Sequence, residues 1–179
     1  MSRTVDRWNP ADARAVLETL IPDDDARRTW LTLLAGAIQT ADRIHTCSWA
    51  VTLFPRKLRL NVGTIETVVF DGRGAMLVLD GGTFTDAEID TIRARPALGG
   101  VDRYRSVRGT VNLYFAYDST ARAIADVADR LFPLVERVAS RVRTGTVYFR
   151  SHSPGVVLYV AQVTEVPLHQ PGYGRQAAG

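Results

Sequence analysis

The chain holds a single cysteine, Cys47, so no disulfide can close within it, and no thiolate set is offered to a metal. Its three histidines, His45, His152 and His169, are scattered. None pairs at the helical or strand spacing that zinc needs. Lysine is almost missing, since Lys57 is the only one among 22 basic residues. Arginine excess can follow genome composition, and it also suits bidentate contacts to phosphate and guanine. The start carries no apolar signal region and no run approaches a membrane span, so a cytoplasmic protein is expected. There is no G-x-S-x-G elbow and no H-N-H-type or P-D…(D/E)-x-K nuclease cluster. Gly72-Arg73-Gly74 and Gly99-Gly100 are short and lack the phosphate-binding lysine of a P-loop, so both read as turns. No repeat or low-complexity tract is visible, and no cofactor is expected.

What is present describes an ordinary globular chain. Its 179 residues are 46% hydrophobic, enough for one real core. A single domain is expected over residues 1–166, with a helical part at 1–45 and a sheet-containing part at 46–166. The remainder, 167–179, is rich in Gly, Pro, Gln and Ala and reads as a loosely ordered tail. A net charge of +3 with a pI of about 9.3 is mildly basic and compatible with a nucleic-acid partner.

The N-terminal part predicts two helices. Asn9-Pro10 supplies an N-cap and a first-turn proline, and Val16, Leu17, Leu20 and Ile21 form a stripe that Pro22 ends. Asp23, Asp24 and Asp25 then suit a helix N-terminus better than a metal site, because no partner ligands follow at a known spacing. The second helix runs to about His45 on Trp30, Leu31, Leu34, Ala37, Ile38, Ala41 and Ile44.

Strands follow. Ser48 to Phe54 is one, and Leu58 to Phe70 is another, bent near Gly63. Asp71-Gly72-Arg73-Gly74 signals a hairpin, with Ala75 to Leu79 returning. Thr85 caps a short helix that Pro96 stops. Arg103 to Arg108 reads as a basic loop or edge strand, and Val111 to Tyr117 as an aromatic-rich strand. Ser119 caps a long helix to about Arg143, which Pro133 should kink or split. Val147 to Arg150 is a short strand, and Val156 to Val163 is strand-like by β-branching but short enough to be ambiguous. The class is α+β, with a curved, mostly antiparallel sheet, an N-terminal helical pair and a long kinked helix.

Two constellations carry candidate chemistry. Ser151-His152-Ser153 sets hydroxyls beside an imidazole, although neighbours on a strand point to opposite faces and form no triad alone. A small hydrolase or ligand-binding enzyme using the His152 region is the alternative function. The other constellation is basic. Cations cluster at Arg56 to Arg59, Arg103 to Arg108 and Arg141 to Arg150, with Tyr104, Tyr148 and Phe149 interleaved. As a strand, Lys57, Arg59 and Asn61 share one face, and Leu58, Leu60 and Val62 the other. Such a face can neutralise phosphates, while aromatic rings stack on exposed bases. It would equally suit an acidic protein partner.

Two motifs together sharpen this reading. Arg56-Lys57-Leu58-Arg59-Leu60-Asn61-Val62-Gly63, followed far downstream by Ser151-His152-Ser153-Pro154-Gly155-Val156-Val157-Leu158-Tyr159, resembles the N-terminal sensor region of prokaryotic modification-dependent (type IV, McrA-like) HNH endonucleases. The similarity spans about Trp49 to Val160 and includes Tyr104-Arg105-Ser106-Val107-Arg108-Gly109.

The resemblance implies a stand-alone, SRA-like half-barrel that binds double-stranded DNA carrying modified cytosine, such as 5-methylcytosine. No nuclease region follows the second motif, so a reader without catalysis is expected, with no membrane association and a homodimer allowed. Arg56, Lys57, Arg59, Asn61, Arg105, Arg108, Ser151, His152 and Ser153 would contact DNA. Trp49, Tyr104 and Tyr148 would line a base pocket. Flipping a base costs a few kcal/mol, which stacking and edge hydrogen bonds must return. A methyl group adds roughly 1 kcal/mol of apolar contact, so discrimination should be on the order of ten-fold.

Overall fold

The Asn9 side chain accepts the Ala11 N–H at 3.0 Å and Pro10 takes the first helical position, which starts α1 at Pro10–Leu20. A computed structural model describes residues 4–44, 48–80, 85–93, 100–104, 110–118, 121–142 and 152–171. Asp23 caps the next helix, α2 (Asp24–Ile44), by accepting the Ala26 N–H at 2.7 Å. Arg27 locks the corner between the two helices. Its guanidinium donates to the Ile21 carbonyl at 2.9 Å and the Pro22 carbonyl at 3.3 Å, and it pairs with Asp24. These bonds satisfy carbonyls left over at the end of α1.

Among the described residues six strands form one open sheet. They are β1 (Trp49–Phe54), β2 (Lys57–Val62), β3 (Ile65–Asp71), β4 (Gly74–Asp80), β5 (Gly100–Tyr104) and β6 (Thr110–Phe115). Their order is β1-β2-β3-β4-β6-β5, every pairing is antiparallel, and the sheet does not close into a barrel. Two-residue turns join the first four strands. Gly63 takes φ +61°, the left-handed region where a side chain is strained, in the turn between β2 and β3, so the single bent strand expected over Leu58 to Phe70 is instead two antiparallel strands. A short helix, α3 (Asp86–Arg93), lies between β4 and β5, and Thr85 and Glu88 form its capping box. Arg137 bonds Glu88 at 2.7 Å and, with Thr85, holds its carboxyl down at about 2.

One face of the sheet belongs to the main core. Row by row it carries Leu53, Leu58, Phe70, Ala75 and Phe115, then Val51, Leu60, Val68, Leu77 and Leu113, all buried with apolar residues of the helices. Trp30, Phe70 and Tyr117 meet edge to face, with centroids 6.2–6.3 Å apart. Tyr117 also donates to the Asp71 carbonyl at 2.7 Å, and burial pushes its phenol pKa up. The opposite face has its own small cluster of Val69, Met76, Val78 and Tyr114.

Three further expectations need correction. Val156 to Val163 is not a strand but most of helix α5, Pro154–Thr164. Pro154 stands at its first position, and the segment is buried on nearly every side, which suits an apolar helix without an amphipathic pattern. Of the kink or split expected at Pro133, the split does not occur, and one helix, α4 (Ala121–Ala139), runs through that residue. Residues 167–171, expected to belong to a loosely ordered tail, are tied down. Gln39 donates to the Pro167 carbonyl at 3.1 Å, Leu168 packs on the core, and Gln170 donates to the Pro154 carbonyl at 3.2 Å. Residues 172–179 and the expected strand at 147–150 lie outside the described residues.

Candidate nucleic-acid interface

The β1–β2 hairpin turns at Pro55-Arg56, leaving Arg56 exposed. Beyond the turn, β2 alternates as its pattern requires: Leu58, Leu60 and Val62 are buried, and Lys57, Arg59 and Asn61 are half-buried on the other face. Arg59 lies over the Phe54 ring, 4.9 Å from its centroid. The two residues are diagonal neighbours in the register, so the stack fixes the guanidinium along the strand.

An anion shares this face. The β2–β3 register shifts between Leu60 and Asn61, so Leu60 faces Val68 while Asn61 faces Glu66. Thr67 is the extra residue and donates its hydroxyl to the Leu60 carbonyl at 3.0 Å. Without that bulge Glu66 would point into the core. With it, Glu66 stands 3.3 Å from Arg59 and 3.8 Å from Lys57. The two cations therefore share one carboxylate, and Arg56 adds a third positive charge at the turn. Two atoms in this group are buried without a hydrogen-bond partner among the described residues, Arg59 Nε and Asn61 Oδ1. Both atoms are shut off from solvent as the side chains stand, so the groups this face presents are the Lys57 amine and the guanidinium ends of Arg56 and Arg59.

Other predicted site residues fall elsewhere. Trp49 is a core residue, not part of a base pocket. It is 0% exposed on the face opposite Lys57, and its indole N–H donates to Asp42 at 3.0 Å. The strand period decides this, because Trp49 shares a face with Val51 and Val62. Tyr104 ends β5 at the far edge of the sheet. Four strand spacings separate β5 from β2, about 19 Å, so Tyr104 is not adjacent to the basic strand. Arg105, Arg108, Tyr148 and Ser151 lie outside the described residues.

The second motif does come next to the first, with β1 between them. His152 and Ser153 are each 1% exposed, so neither presents a group to DNA. They serve instead as a substitute strand along the β1 edge. The Ser153 N–H donates to the Val51 carbonyl at 2.7 Å, the Leu53 N–H donates to the Ser153 hydroxyl at 3.0 Å, and the Val51 N–H donates to His152 Nδ1 at 3.1 Å. His152 Nε2 meets Gln170 Oε1 at 2.9 Å. Both ring nitrogens are thus engaged, and the imidazole has no free position for a substrate proton. The Nδ1 lone pair, which a general base would use, is held by the Val51 N–H.

Sequence reasoning missed Glu66. The bulge that brings it to the basic face has no signature in the residues of β3 themselves. Among the described residues no group of His, Cys, Asp or Glu could hold a metal ion, and no helix is long and apolar enough to cross a membrane. Comparison of the chain with family models, with curated proteins and with solved structures finds no match.

Proposed function

We propose that this protein binds double-stranded DNA without cleaving it, with the β2 face as its phosphate-contacting surface, and that it prefers duplexes carrying modified cytosine. The observation that carries the binding surface is the grouping of Arg56, Lys57, Arg59 and Asn61 at one end of an open sheet. Arginine and lysine on a rigid strand neutralise phosphates and release counterions. The half-buried Asn61 amide beside them reaches a base or sugar edge once its side chain turns outward. The preference for modified cytosine, and the SRA-like character of the sheet, rest on the resemblance of the two motifs to modification-dependent sensor regions. With Trp49 in the core, the stacking role passes to Tyr104 or Tyr148.

The test is a titration against two short duplexes of one sequence, one with 5-methylcytosine and one plain, at two salt concentrations. The expected result is salt-sensitive binding to both, tighter for the methylated duplex by on the order of ten-fold. Absence of binding to either duplex overturns the proposal. Equal, salt-sensitive binding removes the modified-base preference and leaves a nonspecific DNA binder.

A further inference from the structure

A second charged site lies in the helical layer, away from the polar face of β2. There α1, the start of α2 and α5 enclose a cleft of about 440 Å³. Arg14, Arg27, Arg28, Glu18, Tyr159 and Gln162 line it, with the first turn of α1 and an apolar wall from Val163. Three guanidiniums face one carboxylate, so the lining keeps an excess of positive charge, and Asp24 offsets only part of it at Arg27.

The arrangement is already shaped around an oxygen anion. A single carboxylate oxygen, Glu18 Oε1, lies 2.7 Å from Arg14 Nε and 3.9 Å from Arg27 Nη2. Arg14 is two-thirds exposed and uses only its Nε in that pair, while the Arg27 side chain is 10% exposed. Burial works against the Arg27 charge, but Asp24 and the neighbouring Tyr159 phenol outweigh it, so the guanidinium stays firmly charged at the base of the cleft. The guanidinium of Arg28 makes no hydrogen bond or ion pair among the described residues and lies at the exposed rim. The positive end of the α1 dipole adds to the same field.

We propose that this cleft binds a small phosphate-bearing organic anion, gripped by Arg14 and Arg28 at the rim, with Tyr159 at the base and the Arg27 charge, whose donors are held by Ile21, Pro22 and Asp24, adding to the field behind it. Planar guanidiniums match phosphate oxygens in pairs, which favours phosphate over a single carboxylate. The volume falls in the range of small-molecule sites, and Tyr159 and Val163 give an apolar wall for an organic body.

Isothermal titration of the full chain with adenosine monophosphate, with adenosine and with inorganic phosphate tests this. Saturable binding of the monophosphate is expected, with adenosine undetectable and inorganic phosphate weaker. The Arg14→Ala/Arg28→Ala double variant, altered only at exposed positions, should weaken the monophosphate on the order of ten-fold or more. Tyr159→Phe, which keeps the ring, should weaken it less. The Lys57→Ala/Arg59→Ala variant should bind the monophosphate as the parent does. The proposal is overturned by no saturable binding, by binding that ignores the Arg14 and Arg28 changes, or by binding lost with Lys57 and Arg59. Inorganic phosphate bound as tightly as the monophosphate would overturn the organic part of the ligand.

Discussion

The Val51 N–H donates to Nδ1 of His152, so an imidazole ring stands where a neighbouring strand would. The ring must be neutral there, with its proton on Nε2 toward Gln170. Burial pushes the His152 pKa down from its ordinary 6.5, against a weaker opposing effect of the Gln170 acceptor, and the nearby Arg7 charge lowers it further. Trp49 packs on the ring edge to face and brings no charge. In the unfolded chain the residue protonates near 6.5, while the folded protein resists. Stability contributed by neutral His152 is therefore complete above that value and is lost as pH falls below it, down to the lowered folded pKa. Urea midpoints at pH 8, 6 and 5 should decline on the acid side. His152→Asn, whose amide cannot titrate, should flatten the decline. An identical slope in both proteins would place the acid sensitivity elsewhere.

Ser153 works with the same strand edge. Its hydroxyl accepts the buried Leu53 N–H, and nothing else described is placed to do so. Ser153→Ala leaves that donor unpaired and should destabilise the fold by about 1–3 kcal/mol. Amide exchange at Leu53 should accelerate more than exchange at Leu60, which lies in the middle of the sheet. A stability loss without faster exchange at Leu53 would count against the edge-capping role.

Trp49→Phe tests the reassignment of that residue from pocket to core. The change removes the bond to Asp42 and some buried ring, and should lower stability by about 1–3 kcal/mol. The ratio of affinities for methylated and plain duplexes should not move, because the ring faces the helices. A collapse of that ratio in a folded variant would return Trp49 to the binding site.

The sheet was legible because β2 alternates cleanly and because Gly63 and Asp71-Gly72-Arg73-Gly74 punctuate it. The paired N-terminal helices were legible from Asn9-Pro10 and the aspartates at the second N-terminus. The misread segment, Val156 to Val163, is β-branched and apolar, a composition that local propensity assigns to strands; burial against α1, α2 and β1 overrides it. Within the site, periodicity correctly joined Lys57, Arg59 and Asn61. It also contained the information that Trp49 belongs with the core-facing set, since the large apolar Trp49, Val51 and Leu53 alternate with the smaller Ala50 and Thr52, although both faces of β1 are buried. The roles of His152 and Ser153 were not legible, because both depend on a strand a hundred residues away in sequence.

Glu66 offers the sharpest handle on the proposed interface. Its carboxylate lies between Lys57 and Arg59, and any phosphate that approaches must displace it. These pairs are a third or so exposed, so they add little to stability and Glu66→Gln should leave the fold intact within about 0.5 kcal/mol. The same change removes the competing anion and frees two cations. Affinity for every duplex should rise several-fold, and the dependence of log K on log salt should steepen by up to one phosphate equivalent. Lys57→Ala/Arg59→Ala should do the reverse, weakening all duplexes alike and flattening the slope. The two changes together bracket the surface: opposite shifts place the phosphate on β2, whereas no change in either variant would remove this face from the interface altogether.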